Sequence, residues 1–333
     1  MKATYAAIAV CVIAALGLAA GGAPPLQFVL GAVVPYAAIA LFLIGVAWRI
    51  VGWARTPVPF RITATCGQQK SLPFLKQAKL DNPFTTAGVI GRMALEVLLF
   101  RSLFRNTKAE LRPGPRLVFG EDKLLWLGAI AFHYSFLIIF LRHLRFFLEP
   151  VPAFVLALDT MDGFFQVATP VLYITDGVII AALGYLLARR FADPAVRYIS
   201  LFTDYFALFL LLGLAASGIL LRYFVRGELL PVKQLAMGIA TFSPVVPEGL
   251  SGLFFVHLLM LNALIAWFPF SKLMHMGGIF LSPTRNLANN NRAKRHVNVW
   301  NYPVKVHTYQ EWEHEFHDKI VAAGLPLDEV KHG

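Results

Sequence analysis

Four histidines lie in or just beside apolar stretches of the chain, where a titratable side chain is unusual. His133 and His143 fall within one apolar run, His257 falls within a later run, and His275 lies just past its end. An imidazole in hydrocarbon needs a hydrogen-bond partner or a ligand to offset the cost of burial. A single histidine of this kind is more often a hydrogen-bonding group between helices, so only the arrangement of all four points to a ligand.

The spacing of these histidines predicts two pairs at two depths. His133 and His143 are about 15 Å apart along a helix, and His257 and His275 are about 27 Å apart. Because the two helices are expected to run antiparallel, His133 would pair with His275 toward the cytoplasm and His143 with His257 toward the periplasm. The unequal spacings count against this pairing unless Pro269 breaks the later helix and shortens the second distance.

Two imidazoles on opposite sides of a haem iron fill both axial positions and leave none for oxygen or substrate. Electron transfer is then the remaining use. The pattern therefore predicts two b-type haems stacked across a membrane, with His133, His143, His257 and His275 as iron ligands. The chain has no C-x-x-C-H sequence, so both haems would be held without a covalent bond.

Two arginines flank His143 and are assigned to cofactor binding. Arg142 and Arg145 would pair with haem propionates or with a quinone carbonyl. Basic side chains near the end of a span also extend to the interface for the sake of solvation alone, and this explanation is equally open.

The elements that carry these residues predict an all-α membrane bundle of about six transmembrane helices. The chain is 57% hydrophobic with a mean hydropathy of +0.62, and it contains runs close to the roughly 20 residues that a span needs. We expect the first run to be a retained helix rather than a secretory signal peptide. The predicted spans are residues 4–20, 28–52, 124–147, 170–188, 204–224 and 249–270.

The net charge of +11 is concentrated in the segments between the spans, as expected for cytoplasmic loops, and this distribution disfavours nucleic-acid binding. We expect a multi-pass protein of the inner membrane with both termini in the cytoplasm. The chain divides into two N-terminal spans (1–52), a basic cytoplasmic loop with an amphipathic helix near Ala87–Phe104 (53–123), a four-helix diheme bundle (124–275), and a polar tail that docks a soluble subunit (276–333).

The histidine spacing resembles the haem-ligand pattern of the nitrate reductase gamma subunit family of diheme cytochromes b. More narrowly, HYSFLIIFLRHLRFFLEPVP (133–152), TTAGVIGRM (85–93) and NNNRAKRHVNVWNYP (289–303) resemble the membrane cytochrome b subunits of sulfite reductase-associated electron-transport complexes. The resemblance implies the same crossed pairing of histidines. The long loop before residue 124 and the extra helix depart from the five-helix gamma subunit.

This resemblance also implies a function. Electrons would pass between menaquinone, or another quinone, and a cytoplasmic iron-sulfur subunit resembling heterodisulfide reductase. Other membrane and periplasmic subunits of the same complex are implied as well, and the sulfur chemistry would take place on a soluble partner. Such a chain is an electron-transfer subunit of a quinol-linked oxidoreductase in dissimilatory sulfur metabolism.

Two other functions remain open from the residues. A transporter or channel could use the intramembrane histidines for proton relay, with Asp176 and Asp204 as further polar groups in or beside spans. A plain membrane anchor for a soluble redox complex could instead hold its histidines for structure alone.

Overall fold

A computed structural model describes residues 1–56, 74, 76–105, 107–114, 116–164, 170–227, 229–282, 285–290 and 306–328. Part of the predicted basic loop, residues 57–73, and most of the tail sequence that carries the resemblance, residues 291–303, lie outside the described residues.

Most of the described chain is helical. Its helices, in chain order, are α1 (Lys2–Ala20), α2 (Pro24–Ala54), α3 (Thr86–Leu99), α4 (Arg101–Phe104), α5 (Lys123–Phe146), α6 (Ala153–Asp162), α7 (Ile174–Ala192), α8 (Pro194–Ile199), α9 (Phe202–Val225), α10 (Leu229–Ala240), α11 (Gly252–Phe270), α12 (His275–Leu281) and α13 (Tyr309–Ala322). Within α2 and α9 one turn each, Val29–Val33 and Leu221–Val225, is a π-helix.

Five of the described helices are long and apolar enough to cross a membrane, and they are α1, α2, α5, α9 and α11. This confirms the predicted helical membrane bundle. The remaining predicted span, residues 170–188, corresponds to α7. That helix has 19 residues but carries Asp176 in its first turn and Arg189 and Arg190 in its last turn. Its crossing of the membrane stays a prediction.

The bundle is organised around α11, which packs against α1, α2 and α9, while α7 lies between α9 and α5. The contact between α1 and α11 is very close, because a Cβ at Gly17 would lie 2.6 Å from Cα of Val256. Leu183, Leu210 and Met260 are among the side chains of the central apolar cluster. The first helix is therefore an integral part of the packed bundle.

The amphipathic segment predicted at Ala87–Phe104 forms two helices, α3 and α4, separated by Phe100 in a left-handed conformation with φ of +49°. Its charged residues Arg92 and Glu96 are buried, whereas Ile90 and Leu98 are more than half exposed. The helix thus turns charges toward the protein and presents apolar side chains outward, which suits contact with lipid or with a partner.

An antiparallel hairpin that the sequence analysis did not predict follows α4. Strand β1 (Thr107–Arg112) pairs with β2 (Arg116–Glu121), and Arg112 lies opposite Arg116 next to the turn. Gly114 in that turn has φ of +88°, a conformation that favours glycine. The hairpin leads directly into α5 and is the two-stranded sheet of the described chain.

Candidate functional site

The structure brings His133 and His275 together, and we call them the first pair. Their ring centroids are 5.9 Å apart and their planes cross at 80°. His133 lies in α5, and His275 opens α12 after a short 3-10 turn, Lys272–Met274. The helix α11 ends in a 3-10 turn that contains Pro269, so the predicted break exists, and it removes the conflict between the unequal spacings.

His143 and His257 also face each other, and we call them the second pair. Their ring centroids are 6.4 Å apart and their planes are nearly parallel, at 10°. His143 lies in the last turns of α5, and His257 lies in the second turn of α11. The two pairs are therefore at different depths of the bundle, and each pair joins the partners that the sequence spacing suggested.

These separations fit two imidazoles on a single iron. A metal–imidazole bond of about 2.0 Å on each side puts the two ring centroids roughly 6 Å apart. Helices α5 and α11 are also not among the closely packed helix pairs of the described chain, so the histidine side chains approach each other across a gap. Both observations fit a planar macrocycle held between the two helices.

The hydrogen bonds of the imidazoles leave one nitrogen of each ring available. In three histidines Nδ1 lies within 2.8 Å of a backbone carbonyl oxygen three or four residues earlier, which is a common way to fix a metal-binding imidazole. A ring that donates from Nδ1–H has an unprotonated Nε2, whose lone pair can bind a metal. These contacts join His133 to Ala129 (2.7 Å), His143 to Ile139 (2.7 Å) and His275 to Lys272 (2.8 Å).

His257 differs from the other three, because its Nδ1 lies 3.0 Å from the hydroxyl oxygen of Ser217 on α9. Sequence reasoning missed Ser217. A buried serine in a span usually bonds to its own helix, so no pattern in the sequence singles it out.

The described side chains around each pair do not form a binding site for a metal ion without a porphyrin. Among the described residues no group of three or more His, Cys, Asp or Glu side chains is placed to hold one. An iron between two imidazoles takes its remaining four ligands from a porphyrin, so the pairs match the donor set of a bis-histidine haem.

The two arginines assigned to cofactor binding lie in a network of carboxylates beside the second pair. Arg142 is buried, forms an ion pair with Asp162, and stacks on Tyr173 with 3.5 Å between its guanidinium carbon and the ring centroid. Arg145 lies 2.6 Å from a carboxylate oxygen of Asp159. Both guanidinium groups therefore already have anionic partners, and their binding of a cofactor stays a prediction.

Asp159 in this network belongs to α6, outside the spans. Burial alone would raise the pKa of its carboxyl group, but a 2.7 Å hydrogen bond from the Tyr173 hydroxyl and the ion pair with Arg145 outweigh that effect and lower it. The carboxylate is therefore charged at neutral pH, as the arginines require.

Aromatic rings pack against His133 of the first pair, and a backbone contact joins α3 to α5 beside it. The rings of Phe100 and Phe132 both meet the His133 ring edge-on, with centroids 4.9 Å away. The backbone carbonyls at the end of α3 accept hydrogen bonds from α5, with Trp126 donating to Leu99 at 2.8 Å. We call α3, α4 and the residues that join them to α5 the cap.

The C-terminal segment returns to the cap. Arg285 lies 2.8 Å from Glu96, and Asn289 donates a hydrogen bond from its side chain to Asn82 and from its backbone N–H to Pro83 at 2.7 Å. The start of the tail and the loop before α3 therefore form one unit at the first pair's end of the bundle.

The two aspartates that could have favoured a transporter lie in first turns of helices. Asp204 accepts a hydrogen bond from the backbone of Leu201 at 2.9 Å and pairs with Lys272 at 2.9 Å. Asp176 accepts a hydrogen bond from Tyr223 at 2.7 Å. Both carboxylates thus have structural partners at helix ends rather than in the middle of a span.

Comparisons with known proteins also point to membrane cytochrome b subunits. A model of the nitrate reductase gamma subunit family matches residues 93–293. The chain is 46% identical over 279 residues to the Hdr-like menaquinol oxidoreductase cytochrome b-like subunit of Archaeoglobus fulgidus, which covers 82% of this chain and 83% of the relative. It is 42% identical over 273 residues to the protein of the same description from Archaeoglobus profundus, covering 80% and 81%.

Proposed function

Because the chain belongs to the nitrate reductase gamma subunit family, we propose that it is a diheme cytochrome b that carries electrons between a quinone pool and a partner subunit. The observation that carries this proposal is the crossed pairing of four histidines at two depths, with ring centroids 5.9 and 6.4 Å apart. Each haem would supply one reversible electron-transfer centre when bound.

The residues of the chain do three things in this proposal. The four imidazoles would hold the haem irons, which would then supply electron transfer rather than a binding position for substrate. Backbone carbonyls and Ser217 fix the ring orientation through Nδ1. The cap packs against the first pair through Phe100 and His133, while His275 is exposed.

The quinone and the partner are proposed from the relatives. Two relatives are described as subunits of Hdr-like menaquinol oxidoreductases, which supports menaquinone as the exchanged substrate. A heterodisulfide reductase-like iron-sulfur subunit in the cytoplasm is the proposed partner, and dissimilatory sulfur metabolism is the proposed context. We propose that Arg142 and Arg145 lie near the quinone or the haem propionates. Their charges are also paired with Asp162 and Asp159.

The same proposal includes the orientation of the chain in the inner membrane. The basic loop at 53–123 and the tail at 276–333 would lie in the cytoplasm, where Arg285 and Asn289 join the tail to the cap. The first pair would then lie toward the cytoplasm and the second toward the periplasm, so that electrons cross most of the bilayer between them.

The test is a reduced-minus-oxidised spectrum with a haem count per polypeptide on the purified chain and on His143→Ala and His275→Ala. We expect two b-type haems in the unaltered chain and one in each variant. His314→Ala, on the surface helix α13, is the matched control and should keep both haems.

Each other outcome selects an alternative. A chain without haem absorbance would favour a transporter. Haems that survive both substitutions would show that other groups bind them. Two haems together with unchanged quinol oxidation in His143→Ala would favour a plain anchor whose histidines serve the structure alone.

A further inference from the structure

We propose that Ser217 and Gly218 of α9 form a seat that positions His257, and through it tunes the haem of the second pair. This inference rests on the proposed function, because it assumes that His257 binds haem iron. It adds two positioning residues on a third helix, neither of which touches the iron.

The first part of the seat is a hydrogen bond. Ser217 is buried, at 4% exposure, and its hydroxyl oxygen lies 3.0 Å from Nδ1 of His257 and 3.0 Å from the carbonyl oxygen of Leu214. A hydroxyl has one proton, which it donates to the Leu214 carbonyl, and its oxygen then accepts the Nδ1–H of His257. This arrangement leaves Nε2 of His257 unprotonated, in a ring whose centroid lies 6.4 Å from that of His143.

The second part is a close approach of backbone. A Cβ at position 218 would lie 3.2 Å from Cε1 of His257 and 3.7 Å from its Nδ1, tighter than ordinary contact at the first of these atoms. Glycine therefore lets α9 lie directly against one edge of the ring. The hydrogen bond and this contact together restrict rotation of the imidazole about its bond to Cβ.

The seat sets His257 apart from the other histidines. His133, His143 and His275 each bond to a carbonyl of the preceding turn, whereas His257 depends on a side chain from another helix. A hydrogen bond at Nδ1 raises the basicity of a metal-bound imidazole and stabilises the oxidised metal. Loss of the hydroxyl should therefore raise the midpoint potential of this haem alone.

The alternative explanation is that the Ser217 hydroxyl only donates a hydrogen bond to Leu214 in its own helix, as buried serines in spans often do. Ser135 of α5 provides the matched control, because it is equally buried and its hydroxyl donates to backbone carbonyls of its own helix, with Ala131 at 2.7 Å. Gly184 of α7 is the control for Gly218, since a Cβ there would meet nothing within 4 Å.

The experiment is a redox titration with low-temperature electron paramagnetic resonance on the full chain in lipid nanodiscs. Ring planes at 80° in one pair and 10° in the other should give two separable low-spin signals, and His143→Ala identifies the signal of the second pair. We expect Ser217→Ala to raise the potential and move the signal of that haem, while the first pair serves as the internal reference. Ser217→Thr should restore both, and Ser135→Ala should change neither.

Gly218→Ala should displace the same signal or lower the occupancy of that haem, with Gly184→Ala unchanged. Two haems with both signals unmoved in Ser217→Ala would overturn the seat and leave the proposed function standing. A chain without haem would overturn both. If Ser217→Ala fails to assemble, recovery in Ser217→Thr supports the seat, and a failure of that variant to recover the signal overturns it.

Discussion

The two histidine pairs have the same side chains but lie in different surroundings. The first pair has crossed rings, one exposed member in His275, and a cap that is tied to the tail. The second pair has parallel rings and lies beside a network of buried charges. If both pairs bind haem as proposed, two centres with the same donor atoms would differ through what surrounds them, and each could be altered separately.

The largest difference should come from the buried charges beside the second pair. Arg142 and Asp162 are 7% and 6% exposed, so replacing the arginine leaves an uncompensated carboxylate inside the protein. We expect Arg142→Met to lower the free energy of unfolding by about 3–5 kcal/mol. On heating, the haem proposed for the second pair should be released before the haem of the first pair. The loss of absorbance of each haem during heating would measure the order.

Two further variants control this prediction. Arg142→Met combined with Asp162→Asn removes both charges and should recover most of the loss, because Asn still accepts the hydrogen bond from the Thr175 backbone. Arg145→Ala breaks a more exposed ion pair with Asp159 and should cost no more than about 1 kcal/mol. Equal losses for Arg142→Met and Arg145→Ala would contradict the special role of burial.

The next effect belongs to the cap over the first pair. Glu96 is buried and pairs with the partly exposed Arg285, and it also interacts electrostatically with the fully buried Arg92 of the same helix. It accepts a hydrogen bond from the Ser102 hydroxyl as well. Glu96→Gln keeps the shape but leaves two arginines without their shared anion. We expect a local destabilisation of about 1.5–3 kcal/mol, seen as faster amide hydrogen exchange in α3.

Glu121→Gln is the control for the cap, because Glu121 is exposed and pairs with Lys123 at 3.7 Å on the surface. Its substitution should leave exchange in α3 unchanged. The signal of the second pair should also be unaffected by Glu96→Gln, and a change there would mean that the cap and the second pair are coupled.

The sequence was sufficient for the bundle and for the pairing of the histidines, because hydropathy and spacing along a helix report directly on depth. Pro269 even indicated the break that lets unequal spacings match. The sequence did not predict contacts between residues that are distant along the chain. Asn82 and Asn289 are 207 residues apart, Ser217 reaches His257 from another helix, and the inward orientation of Arg92 and Glu96 opposes the usual amphipathic pattern.

The smallest effect we expect concerns Phe100, whose ring meets His133 edge-on at 4.9 Å. Edge-to-face contacts of this kind contribute about 0.5–1.5 kcal/mol, so Phe100→Leu should leave the protein folded with both haems. In this variant the His133 imidazole loses its contact with Phe100 and keeps its contact with Phe132. The ring is therefore less restrained and can rotate more freely. Paramagnetic resonance should show a broader or shifted signal for the first pair alone. Phe104→Leu, at a ring that meets Trp126 edge-on rather than a histidine, should leave that signal as it was. If both variants shift it equally, the cap acts as a whole and Phe100 has no separate part in orienting the ligand.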